Sequence, residues 1–395
     1  MSELDVPVGD PAFHGGDPDP ALARLRRAEP VHWQEAEHCW VVTGQRQVQT
    51  IGKDPEHFCS GLGVLLGDRE RRVAAEDSVL YLDPPRHAQH RALVSRAFTP
   101  RRVAVLEPRI TAMVHDLLDV LDPRVPVDLV DALCAPLPLR VISELLGLPD
   151  EDWDVFTRWS DAIIEAATDL TEDNALAALE LIDYFGAQLD ARAAQPTDDL
   201  LSALQAAEVD GQHLSRAEVL GFCMSLLVAG NETTRSLLSG GLAELARHPD
   251  QRAALVADRR LVPGAVEEML RWVTPITGFA RTVRGQVALG DATLGDGDYV
   301  YMVYRAANRD EAVYGESAGT FDVSRSPNPH VAFGFGEHFC IGAGLARLEG
   351  RVVLSELLGR FPDYEVVAEP PRVPSTLVNQ LRRLDVVLDP GGRRR

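Results

Sequence analysis

The stretch AFGFGEHFCIGAG, Ala332 to Gly344, holds four glycines and a single cysteine in thirteen residues. Phe333, Phe335 and Phe339 stiffen it. Gly334, Gly336, Gly342 and Gly344 let the backbone turn tightly and come close to a large, flat neighbour. Directly afterwards, Leu345, Leu348, Val352 and Leu357 fall on one stripe of a helical period. Cys340 therefore stands at or just before a helix N-terminus. Unpaired N–H groups and the positive end of the helix dipole favour an anion there, and a cysteine so placed is readily held as a thiolate.

This segment alone leaves several uses for the sulfur. A lone cysteine among apolar residues packs a core like any small hydrophobe. A zinc site would need more ligands at suitable spacing, and only His338 is near. The paired glycines do not continue as GxGxxG, and no βαβ pattern surrounds them. A thiolate is also a ligand for haem iron.

Composition narrows the class. With 395 residues the chain can hold one large domain or two to three ordinary ones. Its 45% hydrophobic and 25% charged content is that of a globular protein with a filled core. A net charge of -21 opposes nucleic acid as a partner, because phosphate binding needs a basic field. Lys53 is the sole lysine beside many arginines. Cys39, Cys59, Cys134, Cys223 and Cys340 are odd in number and widely spaced, which argues against a disulfide framework. The start lacks a charged-then-apolar signal region, and no run reaches the roughly 18 apolar residues of a membrane span. The expectation is a cytoplasmic protein without membrane contact.

The first sixty residues mix turns with short strand-like runs such as CWVVTG (Cys39 to Gly44). From Pro84 to about Arg271 the period is mostly helical. Between Arg281 and Tyr304 it alternates, with Gly-Asp turns, and RLDVVLD (Arg383 to Asp389) reads as a closing strand. One helix is long. Ser215 and Glu218 form a capping box, and the pattern then runs to Pro249, about thirty residues or roughly 45 Å. Its middle is AGNETT, Ala229 to Thr234.

Phe333, Gly336, His338, Cys340 and Gly342 occupy every fixed position of Phe-x-x-Gly-x-His/Arg-x-Cys-x-Gly, the haem-binding signature of the cytochromes P-450. From about Pro30 to Asp389 the chain resembles that family. AGNETT is similar to the Ala/Gly-Gly-x-Asp/Glu-Thr-Thr motif of its long central helix. Glu268 and Arg271 in VEEMLRW resemble its buried Glu-x-x-Arg pair, and Arg325 in FDVSR resembles the arginine that joins it. His87 and Arg91 resemble its propionate-binding His-x-x-x-Arg, with Arg281 and His338 as two further propionate contacts.

The resemblance implies a mainly α fold with small β-sheets, a long central helix over haem and a cysteine loop before a proximal helix. It implies one domain over 1–395, with an extension at 1–29 and a basic tail at 390–395. Heme b would be held by Cys340 as metal ligand, with Phe333, Gly334, Gly342, Ala229 and Gly230 against it. The implied activity is monooxygenation: one atom of O2 enters a hydrophobic small molecule by hydroxylation or epoxidation. Glu232 and Thr233 would supply protons, and a helix ladder loosened at Gly230 would leave room for dioxygen. Electrons would come from NAD(P)H through a separate ferredoxin and ferredoxin reductase, docking near Arg96, Arg101, Arg102 and Arg347. Leu65, Met224, Val228, Ile276, Phe279, Leu377 and Val378 are the expected pocket lining, suited to a steroid, terpenoid or long-chain substrate. A peroxide-driven peroxygenase and a non-turnover haem-binding protein are the alternatives; neither needs the Glu232–Thr233 pair.

Overall fold

The computed structural model describes residues 4–68, 78–95, 98–149, 155–160, 162, 171–209 and 211–391. Its axis is the helix Arg216–Arg247, 32 residues long, which opens on the capping box of Ser215 and Glu218. Pro249 cannot continue this helix and begins the next one, Pro249–Ala257. The long helix packs against Pro136–Leu146, Val262–Val273 and Ala343–Arg360. Leu237, Leu238 and Leu242 meet Met269, Leu270, Leu348 and Val353 in the largest buried cluster. Burying such a leucine contributes about 1.5–3 kcal/mol, so this contact fixes the angle of the three helices.

Five strands lie to one side in the order Val31–Gln34, Cys39–Val42, Tyr299–Val303, Gly278–Val283, Phe58–Cys59. Tyr299–Val303 runs parallel to Cys39–Val42 and antiparallel to Gly278–Val283. The alternating stretch after Arg281 thus forms strands as its period predicts. Asp385–Val387 closes a second sheet, between Glu365–Val366 and Val127–Asp128. The opening sixty residues are less strand-like than expected. They contain the helices Asp19–Ala28 and Gln45–Lys53. The second buries only Val48 and Ile51 among its apolar residues, too sparse an apolar pattern to announce a helix.

The Glu268–Arg271 pair is wholly buried, both side chains being 0% exposed. All five N–H donors of Arg271 are used. Nε and Nη2 donate to the Glu268 carboxylate at 2.8 and 2.6 Å. Nη1 donates to the carbonyls of Asn308 and Ala318, both at 2.9 Å, and Nη2 also to that of Thr320 at 2.8 Å. Trp272 and Tyr314 lie 5.4 and 5.1 Å from the guanidinium. Glu268 accepts further bonds from Arg325 Nε at 3.1 Å, Asn328 Nδ2 at 3.0 Å and the Asp322 N–H at 2.9 Å. A helix is thereby bolted to the irregular chain between Asn308 and Asn328, just before the cysteine loop. Removing one partner strands a buried charge, so Arg271→Met should cost about 3–5 kcal/mol in urea unfolding. Loss below about 1 kcal/mol would show a pair of the exposed kind.

Candidate active site

The cysteine loop is held by its own backbone and by a neighbouring helix. The Cys340 N–H donates to the Phe333 carbonyl at 2.9 Å, and the Gly334 N–H to the Val331 carbonyl at 2.9 Å. Gly336 needs its glycine twice over: φ is +79°, and a Cβ there would lie 1.6 Å from the Gly52 carbonyl oxygen. The close approach expected for this glycine is therefore to the helix Gln45–Lys53, not to a flat ligand. Gly342 is the N-cap of Ala343–Arg360, and a Cβ there would sit 3.9 Å from the Cys340 sulfur.

Cys340 is exposed, whereas the other four cysteines are buried. Enough protein still surrounds it that desolvation raises its thiol pKa. The Gly342 and Ala343 N–H groups and the charges of Arg91 and Arg347 pull the other way but do not prevail. A coordinating metal deprotonates a thiol outright.

Four predicted cations come together beside this loop. Arg281 is 5% exposed, and its Nη1 donates to the Ala280 carbonyl at 2.7 Å. No carboxylate forms an ion pair with it among the described residues. The His87 and His338 rings lie 4.1 Å apart, and His87 Nε2 is buried without a hydrogen-bond partner. Arg91 donates to the Phe339 carbonyl. Burial, then the charges of Arg91 and Arg281, holds His87 down to about 4. Burial, then Arg281, His87 and Arg91, holds His338 down to about 2. Both rings are neutral at pH 7 and can donate an N–H.

Glu337 joins this group unannounced by the sequence. Ligand atoms of His87, Glu337 and His338 lie within 4.8 Å of one another. Distance alone would suit a metal ion, but two guanidinium groups near the trio oppose a cation. An anion instead would satisfy Arg281 and the orphaned His87 Nε2. The donor set fits the two carboxylates of a haem, with one accessible sulfur at a helix start.

In the middle of the long helix, Ala229 is exposed and Thr233 half-buried. Thr233 Oγ1 donates to the Ala229 carbonyl at 2.7 Å. The helix runs from Arg216 to Arg247, and this side-chain bond to a carbonyl one turn earlier is the back-bonding open to a threonine inside a helix. A side chain on Gly230 would approach Ile142 Cδ1 at 3.3 Å, and the missing Cβ serves helix contact. Glu232 is 3% exposed. It accepts from Gln380 Nε2 at 2.7 Å and Asn231 Nδ2 at 3.3 Å, with Arg235 Nη1 at 3.8 Å. Nothing in the sequence pairs residues 148 positions apart.

The expected pocket residues separate. Ile276 bridges Val378 through the backbone, and the Thr277 N–H donates to the Leu377 carbonyl at 2.8 Å. The Tyr299 hydroxyl, from the strand Tyr299–Val303, donates to the Leu65 carbonyl at 2.6 Å. Phe279 packs edge-on to Tyr304 with centroids 6.2 Å apart, so part of it serves the core. Met224 packs partly into a second core cluster on the long helix. Val228 is on that helix, with its side chain outside the described residues. Arg101 and Arg102 are exposed. Arg347 is taken by Glu267 at 2.7 and 2.8 Å, and Arg96 lies outside the described residues.

The family model described as Cytochrome P450 matches residues 141–379. Cytochrome P450 130 of Mycobacterium tuberculosis is 39% identical over 363 residues, 89% of each chain. The Steroid C26-monooxygenase of the same species is 36% identical over 98% of each chain. The structure of CYP109E1 from Bacillus megaterium in complex with testosterone superposes with a TM-score of 0.85 at 34% identity, covering 94% of this chain and 99% of that one. No helix among the described residues is long and apolar enough to cross a membrane. The accessible cysteine before its helix, the anion-seeking cluster beside it and this likeness along nearly the whole chain make the protein a member of the cytochrome P450 family, a haem-thiolate monooxygenase fed with electrons by redox partners.

Proposed function

We propose that this chain hydroxylates an apolar steroid or long alkyl substrate, using haem b held by Cys340. The buried Arg281, which forms no ion pair among the described residues, together with the unpartnered His87 Nε2, is the observation that carries the haem-site assignment. Arg281, Arg91, His87 and His338 would hold the propionates, and Cys340 the iron. Phe333, Gly334 and Gly342 shape the cysteine side, Ala229 and Gly230 the opposite side. When bound, haem supplies one-electron chemistry and dioxygen activation, which a thiolate ligand favours.

The protein's own part is to place substrate, exclude water and deliver protons. Thr233 Oγ1 would leave the Ala229 carbonyl and hold a water on the open face of the helix. Glu232 would pass protons towards it from solvent. Thr233→Ala should keep haem and substrate binding but divert electrons to hydrogen peroxide; an unchanged product yield per NADPH would remove the hydroxyl from the relay. Cys340→Ala should lose the thiolate-type carbon monoxide spectrum, and a retained spectrum would refute the ligand.

Ile276, Leu377 and Val378, with Leu65, Met224, Val228 and Phe279, give the pocket few charges, which suits an apolar ligand. The name of the steroid C26-monooxygenase and the testosterone in the Bacillus megaterium complex favour the same class. Steroids and long-chain fatty acids should give a concentration-dependent spin-state shift of the purified protein; silence from both would send the search to other substrates. A ferredoxin with its NAD(P)H reductase would deliver the electrons, meeting the exposed Arg101 and Arg102. Free cysteines suit a reducing cytoplasm.

A further inference from the structure

The relay acid has an unexpected neighbour. Oε2 of Glu232 accepts from Gln380 Nε2 at 2.7 Å, while Thr233 donates its hydroxyl to the Ala229 carbonyl. Gln380 and Glu232 are 4% and 3% exposed, so the bond is shielded from water.

Gln380 is itself held in place. The Val373 N–H donates to its carbonyl at 2.9 Å, and the neighbouring Asn379 N–H donates to the Pro275 carbonyl at 2.9 Å. Two residues earlier Val378 bridges Ile276, and the Thr277 N–H holds the Leu377 carbonyl at 2.8 Å. One short ladder therefore carries both the proposed pocket wall and the amide that grips the acid. Oε1 of the acid accepts from Asn231 Nδ2 at 3.3 Å and lies 3.8 Å from Arg235 Nη1.

We propose that Gln380 is the positioning residue of the proton relay: its side-chain amide fixes the rotamer of Glu232, so that the acid's proton path is set from the C-terminal pocket wall. This rests on Glu232 acting as relay acid. The Gln380 amide donates to the Glu232 carboxylate, and its action runs through that acid. Without its donor the carboxylate turns to other partners, and proton delivery loses step with electron delivery.

The test is a double-mutant cycle of Gln380→Met, which keeps size but not the donor, with Glu232→Gln, read in the haem-loaded protein. Peroxide formed per NADPH should rise roughly three- to tenfold in Q380M, and Q380M should add nothing in the E232Q background. The solvent isotope effect on product formation should change in Q380M alone and not in the double variant. Thermal unfolding midpoints of the same four proteins provide a readout independent of turnover, and they too should be non-additive. Non-additive midpoints with additive peroxide yields would make the bond a structural tie and overturn the proposal. Glu232→Asp, which keeps the acid but falls short of Gln380, should reproduce Q380M; wild-type coupling in E232D would also overturn it. If E232Q itself uses electrons like wild type, the relay reading fails first, and a missing thiolate-type carbon monoxide spectrum in wild type would instead fail the haem assignment.

Discussion

Everything near the cysteine depends on one buried ion pair. A carboxylate and a guanidinium removed from water cost several kcal/mol each in lost solvation, and only dense hydrogen bonding offsets that. Glu268 and Arg271 have that density: Arg271 uses every donor, and three further groups reach Glu268. Most of these partners are backbone carbonyls and N–H groups of a segment built from two short helices and turns. The pair therefore acts as a substitute for a sheet or helix ladder. It holds the chain from Asn308 to Asn328 still, and Asn308 passes the constraint on by accepting the Val331 N–H at 2.7 Å. From Val331 the loop runs directly to Cys340.

A second constraint is electrostatic. The protein carries a net charge of -21, yet it buries Arg281 with no ion pair among the described residues and lowers the pKa values of two histidines beside it. Such an arrangement is costly in the protein alone and becomes favourable around a dianionic ligand. The same reasoning separates this cluster from a metal site that its distances would permit. Elsewhere, Glu349 in the helix after the cysteine is buried with Oε2 unpartnered, and burial pushes its pKa up to about 8. It is therefore mostly uncharged at neutral pH.

Much of the site was legible because its residues are close in sequence. The cysteine signature spans ten residues, the acid–base pair is one helical turn apart, and His87 and Arg91 are four apart on one helix. Local spacing encodes local geometry, and Glu268 and Arg271 pair as their spacing predicts. Gly336 differs: its reading pointed to a flat ligand, and its close neighbour is the Gly52 carbonyl of a distant helix, which local spacing does not report.

The sequence by itself determined the family, the sulfur ligand candidate, the long central helix with its capping box and the strands after Gly278, because each rests on a period or a motif within one turn or one hairpin. Only the tertiary structure decided which partners the buried groups would take: Gln380 for Glu232, Glu337 for the histidine pair, Glu267 for Arg347 and the Ala280 carbonyl for Arg281. Those choices depend on contacts between segments tens to hundreds of residues apart. A side chain's chemistry lists the partners it can accept, and only packing selects one of them.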